Sequence, residues 1–101
     1  MHDKLLALLG IAQKARFLTA GVFLTEQAVA KGKARLVIIA TDASANTRDG
    51  IEKIAYHYEV PVIYYGTKET LGHAIGKEER SCVAVLDEGF ARKILAMTET
   101  K

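Results

Sequence analysis

Three short apolar runs, Leu36–Ala40, Val62–Tyr65 and Cys82–Leu86, alternate with stretches of helical periodicity, and this alternation constrains the fold most. A strand with no polar interruption needs cover on both faces, which helices packed above and below a sheet provide. The stripes have the matching spacing. Leu5, Leu8, Leu9 and Ala12 fall at i, i+3, i+4 and i+7, predicting a helix from about Asp3 to Lys14. Gly21 opens a second helical stretch that stops near Lys31–Gly32. Ile51, Ile54, Ala55 and Tyr58 form a third stripe, with its start capped by Asn46 with Asp49 or by Ser44 with Thr47. Val60 before Pro61 is pushed to extended geometry and ends that helix. Thr67 caps a short helix carrying Leu71, Ala74 and Ile75, and Phe90, Ile94 and Met97 line a last one. The predicted class is α/β, a three-layer α/β/α sandwich around a small sheet. The pattern supplies three strands, with Phe17–Ala20 a short strand or turn. Parallel pairing with right-handed crossovers is expected for the βαβ units.

A chain of 101 residues, half of them apolar, suits one domain spanning 1–101. The single cysteine, Cys82, lies inside an apolar run, which excludes an internal disulfide framework and favours a buried reduced thiol and a cytoplasmic setting. No signal peptide and no apolar run of about 20 residues is found, so no membrane partner is expected. Net charge is only +2, but between Lys14 and Arg35 five cations (Lys14, Arg16, Lys31, Lys33 and Arg35) face one acid, Glu26. This asymmetry predicts one basic face suited to a polyanion; the alternative is an ordinary solvated surface.

Ligands in open α/β sheets sit beyond the carboxyl ends of strands. Three junctions are expected there: Thr41-Asp42-Ala43, Tyr65-Gly66-Thr67 and Asp87-Glu88-Gly89. Asp42, Asp87 and Glu88 could hold magnesium for phosphotransfer. The simpler reading is that Asp42 and Asp87 cap the helices that follow them. "GHAIGKE", Gly72 to Glu78, is no phosphate loop: three residues separate its glycines, Glu78 stands where Ser or Thr is needed, and the segment ends a helix. Gly76 reads as a helix stop. His2, His57 and His73 are scattered, so metal or triad chemistry has no support. A nucleic-acid surface needs cations, exposed polar or backbone groups and an apolar pad. The basic window supplies the first and the helix start at Gly21 the second. Val22-Phe23-Leu24 cannot all face a core, so Val22 or Phe23 is a candidate for contact with a partner.

Read together, "LVIIATDAS…NT" and "VPVIYYG…LGHAIGKEERSCVAVLDEGFA" resemble the kink-turn-binding ribosomal-protein family of archaea and eukaryotes, in particular its small bacterial YlxQ-type branch. The resemblance runs from Leu9 to Leu95. It implies a four-stranded mixed sheet with Phe17–Ala20 as the fourth strand. It also implies non-catalytic binding of a structured RNA at tandem sheared G·A pairs and association with the ribosome; a monomer with no cofactor or metal is expected. The first RNA surface would be the second-helix start, Gly21, Val22, Phe23 and Gln27. Lys77, Glu78, Glu79, Arg80 and Ser81, following Gly76, would cover a flipped base. Thr41, Asp42 and Ala43 would lie between them; Lys14, Arg16, Lys31 and Lys33 of the basic window are expected to meet phosphates. Where the family carries Gly-x-Asn-Glu-x-x-Lys, this chain has Gly21-Val22-Phe23-Leu24-Thr25-Glu26-Gln27, so Phe23, Leu24 and Gln27 replace the Asn, Glu and Lys. That departure makes a protein-interaction module using Val22-Phe23-Leu24 the leading alternative.

Overall fold

The computed structural model describes residues 3–99; His2 lies outside them. The elements run α1 (Lys4–Lys14), β1 (Leu18–Ala20), α2 (Val22–Ala30), β2 (Leu36–Ile39), α3 (Ala45–His57), β3 (Val62–Tyr64), α4 (Lys68–Ala74), β4 (Cys82–Val85) and α5 (Glu88–Glu99). The sheet order is β1-β4-β2-β3. α2 and α3 pack together, as α1 does with α4 and α5, which completes the three layers. The two central strands, β2 and β4, are buried along their whole length, as their unbroken apolar runs require.

The expected parallel pairing holds only for β2 and β3, with Val37 opposite Val62 and Ile39 opposite Tyr64. β4 runs antiparallel to both β2 and β1. The reason lies in α4. Its seven residues span only about 10 Å, too little to carry the chain back along the sheet. The loop after α4 instead returns to that helix's start, where the Arg80 amide donates to the Lys68 carbonyl at 3.1 Å. β4 therefore enters at the end where β2 finishes, Cys82 facing Ile39. We call this the upper end.

The helix caps follow the sequence closely. Asp3 caps α1, accepting from the Leu6 amide at 3.0 Å. Of the two options for α3, Ser44 is the cap, accepting from the Thr47 amide at 3.2 Å. Thr67 and Thr70 form a reciprocal cap on α4. Ile51 and Ala55 are buried, but Tyr58 is exposed because α3 has ended by then and turns through Glu59 in left-handed geometry. The Thr25 hydroxyl is buried without a hydrogen-bond partner of good geometry. Burial pushes the Cys82 thiol up, opposed by the neighbouring Thr25 hydroxyl and reinforced by the charge of Glu26. The thiol is thus protonated core at neutral pH.

One long-range polar contact ties α1 to the sheet. The Tyr65 hydroxyl donates to Asp3 Oδ2 at 2.7 Å. That bond, with partial burial and the charge of Asp3, raises the Tyr65 phenol above its usual value. The unfolded chain therefore loses this proton at lower pH than the folded one. The contribution is complete below about pH 10 and lost as pH climbs through the folded value. Tyr65→Phe should cost about 1 kcal/mol near neutrality, or roughly 4–8 °C in melting temperature. The deficit should shrink as pH rises above about 10. Melting curves from neutral to alkaline pH check this; a deficit independent of pH would mean that packing, not the Asp3 bond, carries the effect.

Candidate nucleic-acid interface

The upper end is one continuous hydrogen-bonded floor. The Gly21 amide donates to the Cys82 carbonyl at 2.9 Å, and the Ala40 amide to the Ser81 carbonyl at 2.8 Å. Thr41 donates twice to the Gly66 carbonyl, from its amide and its hydroxyl, each at 2.8 Å. Asp42 Oδ1 accepts from the Lys68 amide at 2.8 Å. This is why β2 ends abruptly in Thr-Asp-Ala-Ser: its last residues stitch the β3–α4 turn and the β4 entry into one surface. Asp42 thus caps α4 across the turn, rather than α3 directly after it.

α2 rises from this floor. Gly21 has φ +97, a region that L side chains rarely adopt, and contributes no side-chain cap. The Thr25 amide is already paired with the Gly21 carbonyl at 3.0 Å. The preceding amides of Val22, Phe23 and Leu24 have no intrahelical acceptor, and the helix dipole adds partial positive charge there. Phe23 is 68% and Leu24 46% exposed, whereas Val22 packs against the core. The apolar triplet thus divides into one inward and two outward side chains.

The loop before β4 reaches the same place. The Arg80 guanidinium donates to the Glu78 and Glu79 carbonyls, at 3.2 and 2.8 Å, which folds the side chain onto its own loop. A Cβ built on Gly21 would sit 4.0 Å from Arg80 Cδ. Lys77, Glu78 and Glu79 are exposed. Gly21, Phe23, Thr41, Asp42, Arg80 and Ser81 therefore belong to one end of the molecule.

Other expectations fail. Ala43 belongs to the core and is only 7% exposed, so it offers a partner little surface. The basic window does not join this surface. β1 and β2 both begin at the lower end, opposite Val85, so Lys14, Arg16, Lys31, Lys33 and Arg35 gather there. The single basic face is corrected to a basic pole remote from α2's start. The same antiparallel β4 separates the proposed metal carboxylates: Asp42 lies at the upper end, Asp87 and Glu88 at the lower. Each is engaged locally, Asp87 capping α5 through the Phe90 amide at 3.0 Å and Glu88 pairing with Arg92 at 3.3 Å. Among the described residues, no three His, Cys, Asp or Glu side chains gather as a metal site. The sequence reading missed Arg48 and Lys68, cations in the first turns of α3 and α4 at the upper end; unfavourable placement against the helix dipole was their only signal.

The family model described as "Ribosomal protein L7Ae/L30e/S12e/Gadd45 family" matches residues 3–95. The chain belongs to this family. The L7Ae/L30e/S12e/Gadd45 relatives include the RNA-binding protein YlxQ of Bacillus subtilis (strain 168), 37% identical over 92 residues, covering 91% of this chain and 92% of that one. The RNA-binding protein YlxQ of Enterococcus faecium is 33% identical over 98 residues, covering 97% and 94%. A solved structure of a protein with unknown function from Bacillus halodurans C superposes with a TM-score of 0.93 at 38% identity, covering 98% of this chain and all of that one. The Giardia lamblia 15.5kD RNA binding protein shares the L7Ae-type fold, with a TM-score of 0.75 at 24% identity and coverage of 98% and 91%. Among the described residues, no helix is long and apolar enough to cross a membrane.

Proposed function

We propose that this protein is a non-catalytic, monomeric RNA-binding protein of the cytoplasm that recognises a kink-turn-like element, in association with the ribosome. Family membership and the RNA-binding names of the YlxQ relatives support RNA as its partner. The observation that carries the reading is the convergence of the uncapped α2 start, pinned at Gly21 to β4, with Arg80 of the neighbouring loop. Free amides and a guanidinium can hold phosphate oxygens. The exposed Phe23 offers a face on which a splayed base can stack. The separation and local engagement of Asp42, Asp87 and Glu88 argue against the phosphotransfer alternative.

A gel shift tests this with a kink-turn stem-loop and a control whose G·A pairs are replaced by Watson–Crick pairs. The stem-loop should bind at least about tenfold more tightly, a difference of ~1.4 kcal/mol. Arg80→Glu should remove most of that preference. Equal binding of both RNAs would discard the kink-turn reading. The exposure of Phe23 and Leu24 favours a second reading, docking of a protein partner on α2. That reading takes the lead if the parent binds neither RNA.

A further inference from the structure

The cations most able to attract a polyanion lie at the opposite pole from the surface just described. Hydrogen bonds draw their segments together. The Leu86 amide donates to the Phe17 carbonyl at 2.8 Å and the Arg35 amide to the Val85 carbonyl at 2.7 Å, so the starts of β1 and β2 flank the end of β4. The Phe17 amide donates to Ala12, bringing the end of α1, and the Lys33 amide to Ala28, bringing the end of α2. Lys14, Arg16, Lys31, Lys33 and Arg35 are all exposed, and none forms an ion pair among the described residues. The acids at this pole are fewer. Glu88 is taken by Arg92, Asp87 caps α5, and Glu59 lines one groove with Arg35 and Arg92.

The upper end has the reverse balance: Lys4, Arg48, Lys68, Lys77 and Arg80 are outnumbered by Asp3, Asp42, Asp49, Glu69, Glu78 and Glu79. The poles cannot share one electrostatic task. α3, with 13 residues, runs from one to the other over about 20 Å. Screening at physiological salt acts over ~8 Å. A phosphate held at α2's start therefore gains little from Lys31 or Lys33.

We propose that the lower pole is a second RNA-binding surface that grips the phosphate backbone of a duplex segment distinct from the one engaged at the start of α2. The protein then bridges two RNA segments from opposite ends. The lower pole's chemistry is backbone chemistry. Its lysines are flexible point charges, and its aromatics are already engaged: Phe17 is set against Phe90 with ring centroids 6.0 Å apart, and Tyr58, in the groove beside Arg35, lies edge-on to His57 at 4.8 Å. Contact there depends on charge and not on base sequence. This surface is independent of what the α2 end reads and stands if the kink-turn reading fails.

The test uses the full chain and a fluorescent 20-base-pair RNA duplex with no internal loop, followed by anisotropy over a salt series. If three or four phosphates are neutralised, the parent's log affinity should fall by about 3 units per decade of salt. Lys14→Glu/Lys31→Glu/Lys33→Glu should lose at least about tenfold in duplex affinity and most of that slope. The same three positions changed to Gln spare the helix ends the added negative charge and should lose a smaller share in the same direction. Lys4→Glu, the same charge reversal at the upper-end start of α1, should leave duplex affinity within about twofold, since it lies beyond the screening length. Parent protein that ignores the duplex at low salt overturns the proposal, as does a folded triple variant that binds it unchanged. Equal binding to poly-glutamate would overturn the RNA assignment in favour of an acidic protein partner.

Discussion

Gly72→Ala should destabilise the protein by about 3 kcal/mol, the upper part of the range for inserting an atom into a packed site. A Cβ at Gly72 would collide with the Glu78 carbonyl and crowd Glu79 Cα. Both are backbone, so no side chain can rotate away. The Gly72 carbonyl also accepts from the Lys77 amide at 2.8 Å, so shifting the helix breaks the turn it holds. For a chain of this size the melting temperature should fall by roughly 12–24 °C. RNA affinity should fall with it where folded protein remains, because the displaced loop carries Arg80 to the side of Gly21. Calorimetry and anisotropy on the same sample check both parts. A melting temperature within a few degrees of the parent would mean that the loop after α4 yields at little cost, and that its path is no determinant of the surface.

The second large effect is a gain. Phe23→Asn, Leu24→Glu and Gln27→Lys together restore the family's polar set on the first turns of α2. The exposure of Phe23 and Leu24 removes the main objection, since a new carboxylate at 24 remains in water. Affinity for a kink turn should rise by about 1–3 kcal/mol, the value of a bidentate guanine contact, or roughly 5- to 150-fold. The RNA major groove normally admits no side chain, so the gain requires the widened groove beside sheared pairs. It should vanish when those pairs become Watson–Crick. If the folded variant gains nothing on a kink-turn RNA, α2 is not the reading element, and the apolar pair faces a protein instead.

Much of this fold was legible because its signals are local. The stripe of α1, the caps at Ser44 and Thr67, and the stop at Val60-Pro61 depend on residues within a few positions of one another. The structure keeps the stripe and both caps, but it ends α3 at His57 and turns the chain at Glu59, before Val60-Pro61 is reached. The uninterrupted run Leu36–Ala40 announced a strand covered on both faces, and β2, Leu36–Ile39, is one. The family resemblance added the fourth strand, Leu18–Ala20, which three residues could not have declared alone.

The candidate site was legible in pieces and illegible as an arrangement. Exposure within Val22-Phe23-Leu24 follows from helical periodicity only once the inward face is known, and the sheet decides that face. The five cations between Lys14 and Arg35 look like neighbours of Gly21 because they surround it in sequence. Yet β1 and α2 each cross the molecule, so the residues on either side of both elements return to the same lower end. Likewise Asp42 and Asp87 end two strands and looked equivalent, until the direction of β4 set them at opposite poles. By itself the sequence determined which segments form helices and strands, because hydrophobic period and capping are short-range effects. Only the tertiary structure decided which charges share a pole, because the direction of β4 depends on where a seven-residue helix and its loop deliver the chain.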